Sequence, residues 1–271
     1  MSLSFRPLTP LFGAEVSGFD PRGALEPDVA RELEQALQER RLLLFRGMPL
    51  DEAQQVRLTQ IAGVLTYRGY AAYKDPDKKS SMVSNVHKDG LFGNGELSFH
   101  SDLSFTPHIL KARSLHALIL PSSPQAGGQT LFSDVQTAYD ELDPALKAAV
   151  EPLRARFAAT YNTDGEEEVV EFVRPLIDTH PVTKRRFIAA SRAVTKEVEG
   201  MERQEFRPLL KALWAHMEQP RYVYRHEWQL GDTLLWDNIA LQHARTPFDP
   251  AEKRALRAVS VDDPAVAIRP Q

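Results

Sequence analysis

From Phe99 to Val261 many of the apolar residues fall in short runs, with Gly and Pro recurring in the stretches between them. Ser114 to Leu120 ends at Pro121, and Thr130-Leu131-Phe132 follows Gly127-Gly128. Further runs lie near Phe187 to Ala190, Tyr222 to Trp228, Thr233 to Trp236 and Ala255 to Val261. Each is too short for an ordinary helix and long enough for a strand. Many short strands between turns predict a mostly β chain: a sandwich, a barrel or a jelly roll. Helices are expected at its flanks. Glu26 to Arg40 carries apolar residues at helical spacing (Val29, Leu33, Ala36, Leu37), and Asp51 opens another helix with an acid at its N-terminus. Val135 to Leu142, Pro144 to Val150 and Glu202 to Gln219 also read as helical. Ala14 to Phe19 and Leu42 to Phe45 are strand candidates ahead of the β-rich region. The polar stretch Lys74 to Lys79 reads as a surface loop, and Gly90 to Gly95 as a loop leading into the next strand; loops over Tyr67 to Gly95 and Asn162 to Arg174 are expected to supply the substrate pocket. With no internal repeat and no low-complexity linker, residues 1–271 are expected to form one domain.

That next strand holds the chemistry. Leu97-Ser98-Phe99-His100-Ser101-Asp102-Leu103-Ser104-Phe105 alternates polar and apolar, the period of a strand with one buried face. Residues two apart on a strand point the same way, which sets the His100 imidazole beside the Asp102 carboxylate. The chain has two other His-x-acid pairs. His87-Lys88-Asp89 runs into Gly90 and reads as a turn, and His216-Met217-Glu218 falls on a helix, where such residues diverge by about 200°. Only His100 and Asp102 suit chelation. One more histidine would complete the two-His-one-carboxylate set that holds non-heme Fe(II) and leaves positions open.

Composition narrows the metal chemistry. The 271 residues include no cysteine, which removes disulfides, iron–sulfur clusters, thiolate-ligated haem and cysteine-rich zinc sites. A metal must be held by His, Asp and Glu, which suits Fe(II), Mn(II) or catalytic Zn(II). A net charge of −4 gives no basic footprint for nucleic acid. No apolar run approaches a membrane span, and the N-terminus lacks a secretory h-region, so a cytoplasmic protein with neither nucleic acid nor membrane as partner is expected.

His100-Ser101-Asp102, Gly127-Gly128-Gln129-Thr130, Trp236-Asp237-Asn238 ahead of His243 and an Arg-bearing tail follow one another in that order. With Ala14 to Gly18 and Val83 to Val86, this pattern resembles the taurine dioxygenase family of Fe(II)/2-oxoglutarate oxygenases. The resemblance implies a double-stranded β-helix, a cupin-like jelly roll with flanking helices. It implies His100, Asp102 and His243 as iron ligands, with 2-oxoglutarate as cosubstrate and O2 as oxidant. The implied reaction oxidises a C–H bond, usually by hydroxylation, and releases succinate and CO2. Retention of Asp102 favours this over halogenation, since halogenating relatives have a small residue there. A homodimer or homotetramer is also implied.

The far carboxylate of the cosubstrate requires a cation, because an unpaired buried carboxylate is costly. Thr130 and Arg254 match the family residues for this task. Many members place a second arginine four residues after the first, whereas this chain has Arg257, three after Arg254. Either Arg254 or Arg257 could hold the carboxylate; Arg254 is the preferred reading. Glu96 stands where sulfonate-binding relatives have Asn, which points to an amine-bearing, amino-acid-like or natural-product substrate. Phe99, Phe105, Trp236 and Phe248 flank the ligands as an aromatic shell or as plain core, and Phe105 is a candidate substrate contact. Two rival readings use the same residues. A metal-dependent hydrolase would need a positioned general base, for which no motif such as H-E-x-x-H is present, and a non-catalytic jelly-roll binding protein would have no use for the cosubstrate residues.

Overall fold

In a computed structural model of the chain, residues 2–67, 79–88, 90–163 and 166–267 are described. The N-terminal part contains β1 (Ser4–Pro7), β2 (Ala14–Ser17), α1 (Pro27–Arg40), β3 (Leu42–Phe45), α2 (Glu52–Thr59), β4 (Val64–Leu65) and β5 (Ser81–Ser84). Then come β6 (Leu97–His100), β7 (Ala112–Ile119), β8 (Thr130–Asp134), α3 (Val135–Asp140) and α4 (Pro144–Val150). A long hairpin of β9 (Arg154–Thr163) and β10 (Glu166–Pro175) precedes β11 (Ile177–Thr179), β12 (Arg186–Ile188) and β13 (Thr195–Val198). The chain closes with α5 (Arg203–Met217), β14 (Val223–His226), β15 (Thr233–Asp237), β16 (Leu241–Arg245) and β17 (Ala255–Asp262).

Two sheets face each other. The larger runs β1-β2-β3-β15-β7-β17-β4, with β5 also paired to β17; the smaller runs β14-β8-β16-β6. Between them lies a core to which the small sheet gives Phe132 and Leu241 and the large sheet Leu44, Leu115, Leu234, Trp236 and Leu256. Two sheets closed over a common core in this way form the double-stranded β-helix, or jelly roll. The apolar run Leu42 to Phe45 is buried on both faces because α1 and α2 cover the outer side of the large sheet through Leu33, Leu37 and Leu58. Asp51 begins α2 with a capping box, its side chain accepting from the Gln54 backbone N–H while Gln54 answers to the Asp51 N–H. A second apolar cluster joins α3 and α5 to β9, β11 and β12 around Phe157, Phe187, Phe206 and Leu213. No helix among the described residues is long and apolar enough to cross a membrane.

Two segments differ from expectation. Residues 162–174, expected as a substrate loop, largely belong to the β9–β10 hairpin, whose solvent side carries Arg156 paired with Glu171 at 2.7 Å and with Glu197 of β13 at 3.0 Å. The alternating stretch 97–105 is strand only as far as His100. Ser101 to Thr106 turns sharply, with Leu103 at φ 60° and the Ser104 and Thr106 N–H groups bonding back to Ser101 and Leu103. Most of the Lys74–Lys79 stretch lies outside the described residues.

Candidate active site

His100 and His243 are brought together by sheet register. They are directly paired residues on β6 and β16, and their rings sit 4.2 Å apart, centroid to centroid. Asp102, two residues past the strand end, turns its carboxylate to both. His100 Nε2 is 3.6 Å from Asp102 Oδ1, and His243 Nε2 is 3.9 Å from Oδ2. Two atoms each about 2.1 Å from one ion lie at most about 4.2 Å apart, so both spacings fit a shared metal. One imidazole or carboxylate atom from each residue falls within 4.8 Å of the others. A facial N,N,O donor set is the chemistry of non-heme Fe(II).

The surroundings prepare each ligand. His100 Nδ1 donates to the Ser98 carbonyl at 2.8 Å, so its proton is on Nδ1 and the Nε2 lone pair faces the cluster. His243 is buried against Trp236 and Phe132, with ring centroids at 5.0 and 6.3 Å. Burial, reinforced by the nearby His100, pushes its imidazole down to about 3 and keeps it neutral, as a metal ligand must be. Arg113 on β7 donates from Nη1 to Asp102 Oδ2 at 2.6 Å. Burial by itself would raise the Asp102 pKa. The Arg113 guanidinium and the two histidines outweigh it and hold the carboxyl well below its ordinary range. Arg113 takes one lone pair of Oδ2, and the carboxylate keeps others, on Oδ1 beside His100 and on Oδ2 beside His243, to offer a metal.

The Trp236-Asp237-Asn238 motif now has a physical reading. Trp236 packs on His243. Asp237 Oδ1 accepts the Ile239 and Ala240 N–H groups, making the turn into β16. Asn238 grips the backbone of Asp102 from both sides: its Oδ1 accepts the Asp102 N–H at 3.0 Å and its Nδ2 donates to the Asp102 carbonyl at 3.1 Å. A clamp on the backbone fixes the carboxylate where the strand no longer does.

The same cavity is lined by Thr130, Arg245 and Arg254. Arg254 is only 2% exposed, yet it has no carboxylate partner among the described residues. Its Nε donates to the Gly128 carbonyl at 3.1 Å, and its backbone is pinned by Asn85, which accepts its N–H and donates to its carbonyl. Burial, and then repulsion from Arg245, lowers its pKa to about 9. A buried cation held in this way awaits an anion. Thr130 Oγ1 accepts from Trp228 Nε1 at 3.0 Å, which leaves its hydroxyl proton to donate elsewhere.

The Gly127-Gly128 pair makes room for this arrangement. Gly127 has φ 93°, and a Cβ there would lie 2.1 Å from the Pro247 backbone oxygen. Gly128 has φ 79°, and a Cβ there would meet Arg254 Cδ at 3.1 Å. Gly127→Ala is expected to cost at least about 2 kcal/mol, through a backbone region nearly closed to other residues and a contact with backbone that cannot yield. Urea unfolding checks it; an unchanged midpoint would show that the 124–130 segment can move aside.

Three candidates fall elsewhere. Arg257 points away from the cavity: its Nε donates to Gln55 Oε1 at 2.7 Å and its Nη2 to the Leu50 carbonyl at 2.6 Å, so it fastens α2 to β17. Three residues on from Arg254, it faces the opposite side of the strand, and Ala258 occupies the position four residues on. Glu96 is exposed and does not line the cavity; the charge it acts on is Arg192. That removes the ground for an amine-bearing substrate. Phe105 is buried in the α3–α5 cluster instead of the cavity. Conversely, Arg113 and Arg245 escaped notice in the sequence. For Arg113 the available signal was a charged residue inside the largely apolar run 112–120, which needs a polar partner when buried; Arg245, in Leu241-Gln242-His243-Ala244-Arg245, offered no such contrast.

The sequence matches the "Taurine catabolism dioxygenase TauD, TfdA family" over residues 4–260. It is 33% identical to an alpha-ketoglutarate-dependent 2,4-dichlorophenoxyacetate dioxygenase of Cupriavidus pinatubonensis, covering 98% of this chain and 100% of that protein. It is 32% identical to a pentalenolactone F synthase of Streptomyces avermitilis, over 96% and 94% of the two chains. The crystal structure of AAD-2 in complex with Mn(II) and N-oxalylglycine superposes with a TM-score of 0.80 at 30% identity, over 96% of this chain and 97% of that one. The chain belongs to the TauD/TfdA family of Fe(II)- and 2-oxoglutarate-dependent dioxygenases.

Proposed function

We propose that the protein, acting through one domain, hydroxylates a C–H bond of a small molecule while 2-oxoglutarate is converted to succinate and CO2. The observation that carries this is the meeting of two features in one cavity: the His100/Asp102/His243 cluster and the buried, acid-free Arg254 beside Thr130. Fe(II) held by the three ligands supplies the activation of O2. Arg254 and Thr130 bind the far carboxylate of the cosubstrate and thereby aim its keto-acid head at the metal. Trp236, Phe132 and Phe248 keep that end of the cavity dry. A hydrolase is disfavoured because Asp102 is the one acid among the described residues lining the cavity, and it is committed to Arg113.

The test is direct. Fe(II) and 2-oxoglutarate added under argon should produce a weak visible charge-transfer band, and air should then yield succinate. A substrate panel that includes 2,4-dichlorophenoxyacetate, named in a relative, should show which compounds accelerate succinate release. Absence of both the band and succinate would refute the assignment.

A further inference from the structure

Arg245 is a second cation in the cavity with no acid to neutralise it. It is 4% exposed and has no carboxylate partner among the described residues. It lies two residues from His243 on β16, hence on the same interior face. Across the sheet it is directly paired with Thr130 on β8. Its guanidinium carbon lies 5.4 Å from the Phe248 ring centroid, and that of Arg254 lies 5.9 Å from the same centroid. Two buried like charges thus share one aromatic ring, beside a hydroxyl with a proton to give. Two such cations raise each other's cost unless an anion lies between them.

We propose that Arg245 is a second guanidinium for the far carboxylate of 2-oxoglutarate, completing with Arg254 and Thr130 a three-donor cradle; this rests on the dioxygenase reading above. A carboxylate has about four acceptor directions, enough for all three groups. Arg245 also does what Arg254 does not. Its Nη2 donates to the Phe92 carbonyl at 2.7 Å and to the Gly95 carbonyl, while its buried Nε has no partner among the described residues. One planar group therefore spans the cosubstrate end of the cavity and the 92–95 backbone that leads into β6 and His100. Binding of the cosubstrate tightens that backbone.

The test separates this role from a purely structural one by comparing two keto acids. 2-Oxopentanoate keeps the metal-binding head of 2-oxoglutarate and lacks the far carboxylate. Both are titrated anaerobically into the Fe(II)-loaded wild type and Arg245→Gln, with binding read from the charge-transfer band and by calorimetry. Arg245→Gln is expected to weaken 2-oxoglutarate roughly 10- to 100-fold and to leave 2-oxopentanoate unchanged. Equal losses for both acids, or none for either, would overturn the proposal. Should the variant fail to fold, hydrogen exchange on the wild type decides: 2-oxoglutarate should slow exchange at residues 92–95 more than saturating 2-oxopentanoate does, and equal protection overturns the proposal. A wild type that binds neither acid would sink the dioxygenase reading itself, whereas normal wild-type binding with an unaltered variant sinks only the role of Arg245.

Discussion

Asp102→Ala is expected to abolish succinate formation and also to destabilise the metal-free protein by about 3–5 kcal/mol. The first effect follows from losing the only anionic member of the three-residue cluster. The second follows from its partner. Arg113 is 3% exposed and donates to Asp102 at 2.6 Å, so removing the carboxylate leaves a guanidinium buried beside two histidines. Asp102→Asn should fall between wild type and Ala in stability, because it keeps an acceptor for Arg113 and loses the charge. Asp102→Ala combined with Arg113→Met should recover most of the lost stability and none of the activity. Urea unfolding of the metal-free proteins and iron content after reconstitution read the two effects separately. If Asp102→Ala unfolds at the wild-type midpoint, Arg113 is not held by Asp102 as described.

These two effects also show what the sequence could reveal. The His100–Asp102 pairing was readable, though for an incomplete reason. Strand alternation predicts both side chains on one face, but the strand stops at His100, and the placement of Asp102 comes from the turn at Leu103 and the Asn238 clamp. The clamp residue was visible as a motif; its task was not, since it depends on a contact across 136 residues of chain. The arginines divide in the same way. Parity along the strand favoured Arg254 over Arg257 without excluding a bulge; the structure decides it, because the register shift near Ala255 adds its extra residue to β7, not to β17. Arg113 and Arg245 could not be assigned, because whether a strand arginine is buried, and what it pairs with, is decided by neighbouring strands. The β9–β10 hairpin was hidden for a different reason. Its outer face is rich in glutamate, poor in strand propensity, and is held by ion pairs such as Arg156 with Glu171.

Arg254→Met is expected to reverse the stability order of wild type and variant, depending on whether the cosubstrate is present. Without ligands Arg254 is a burden on the fold. Its side chain is buried, its charge has no acid partner among the described residues, and Arg245 repels it. A methionine of similar length fills the space beside Phe248 without that desolvation, at the loss of one hydrogen bond to the Gly128 carbonyl. The metal-free variant should therefore be more stable than wild type by about 1–3 kcal/mol. Its affinity for 2-oxoglutarate should fall roughly 30- to 1,000-fold, because a carboxylate carried into the cavity would lose its main charge partner. With Fe(II) present and 2-oxoglutarate at about 100 times the wild-type dissociation constant, binding adds about 2.7 kcal/mol to the wild type and little to the variant. The wild type should then match or overtake the variant. Thermal unfolding curves with and without cosubstrate measure the crossing in one experiment. A variant less stable than wild type under both conditions would mean that Arg254 is chiefly a structural residue and that its charge is not there for the cosubstrate.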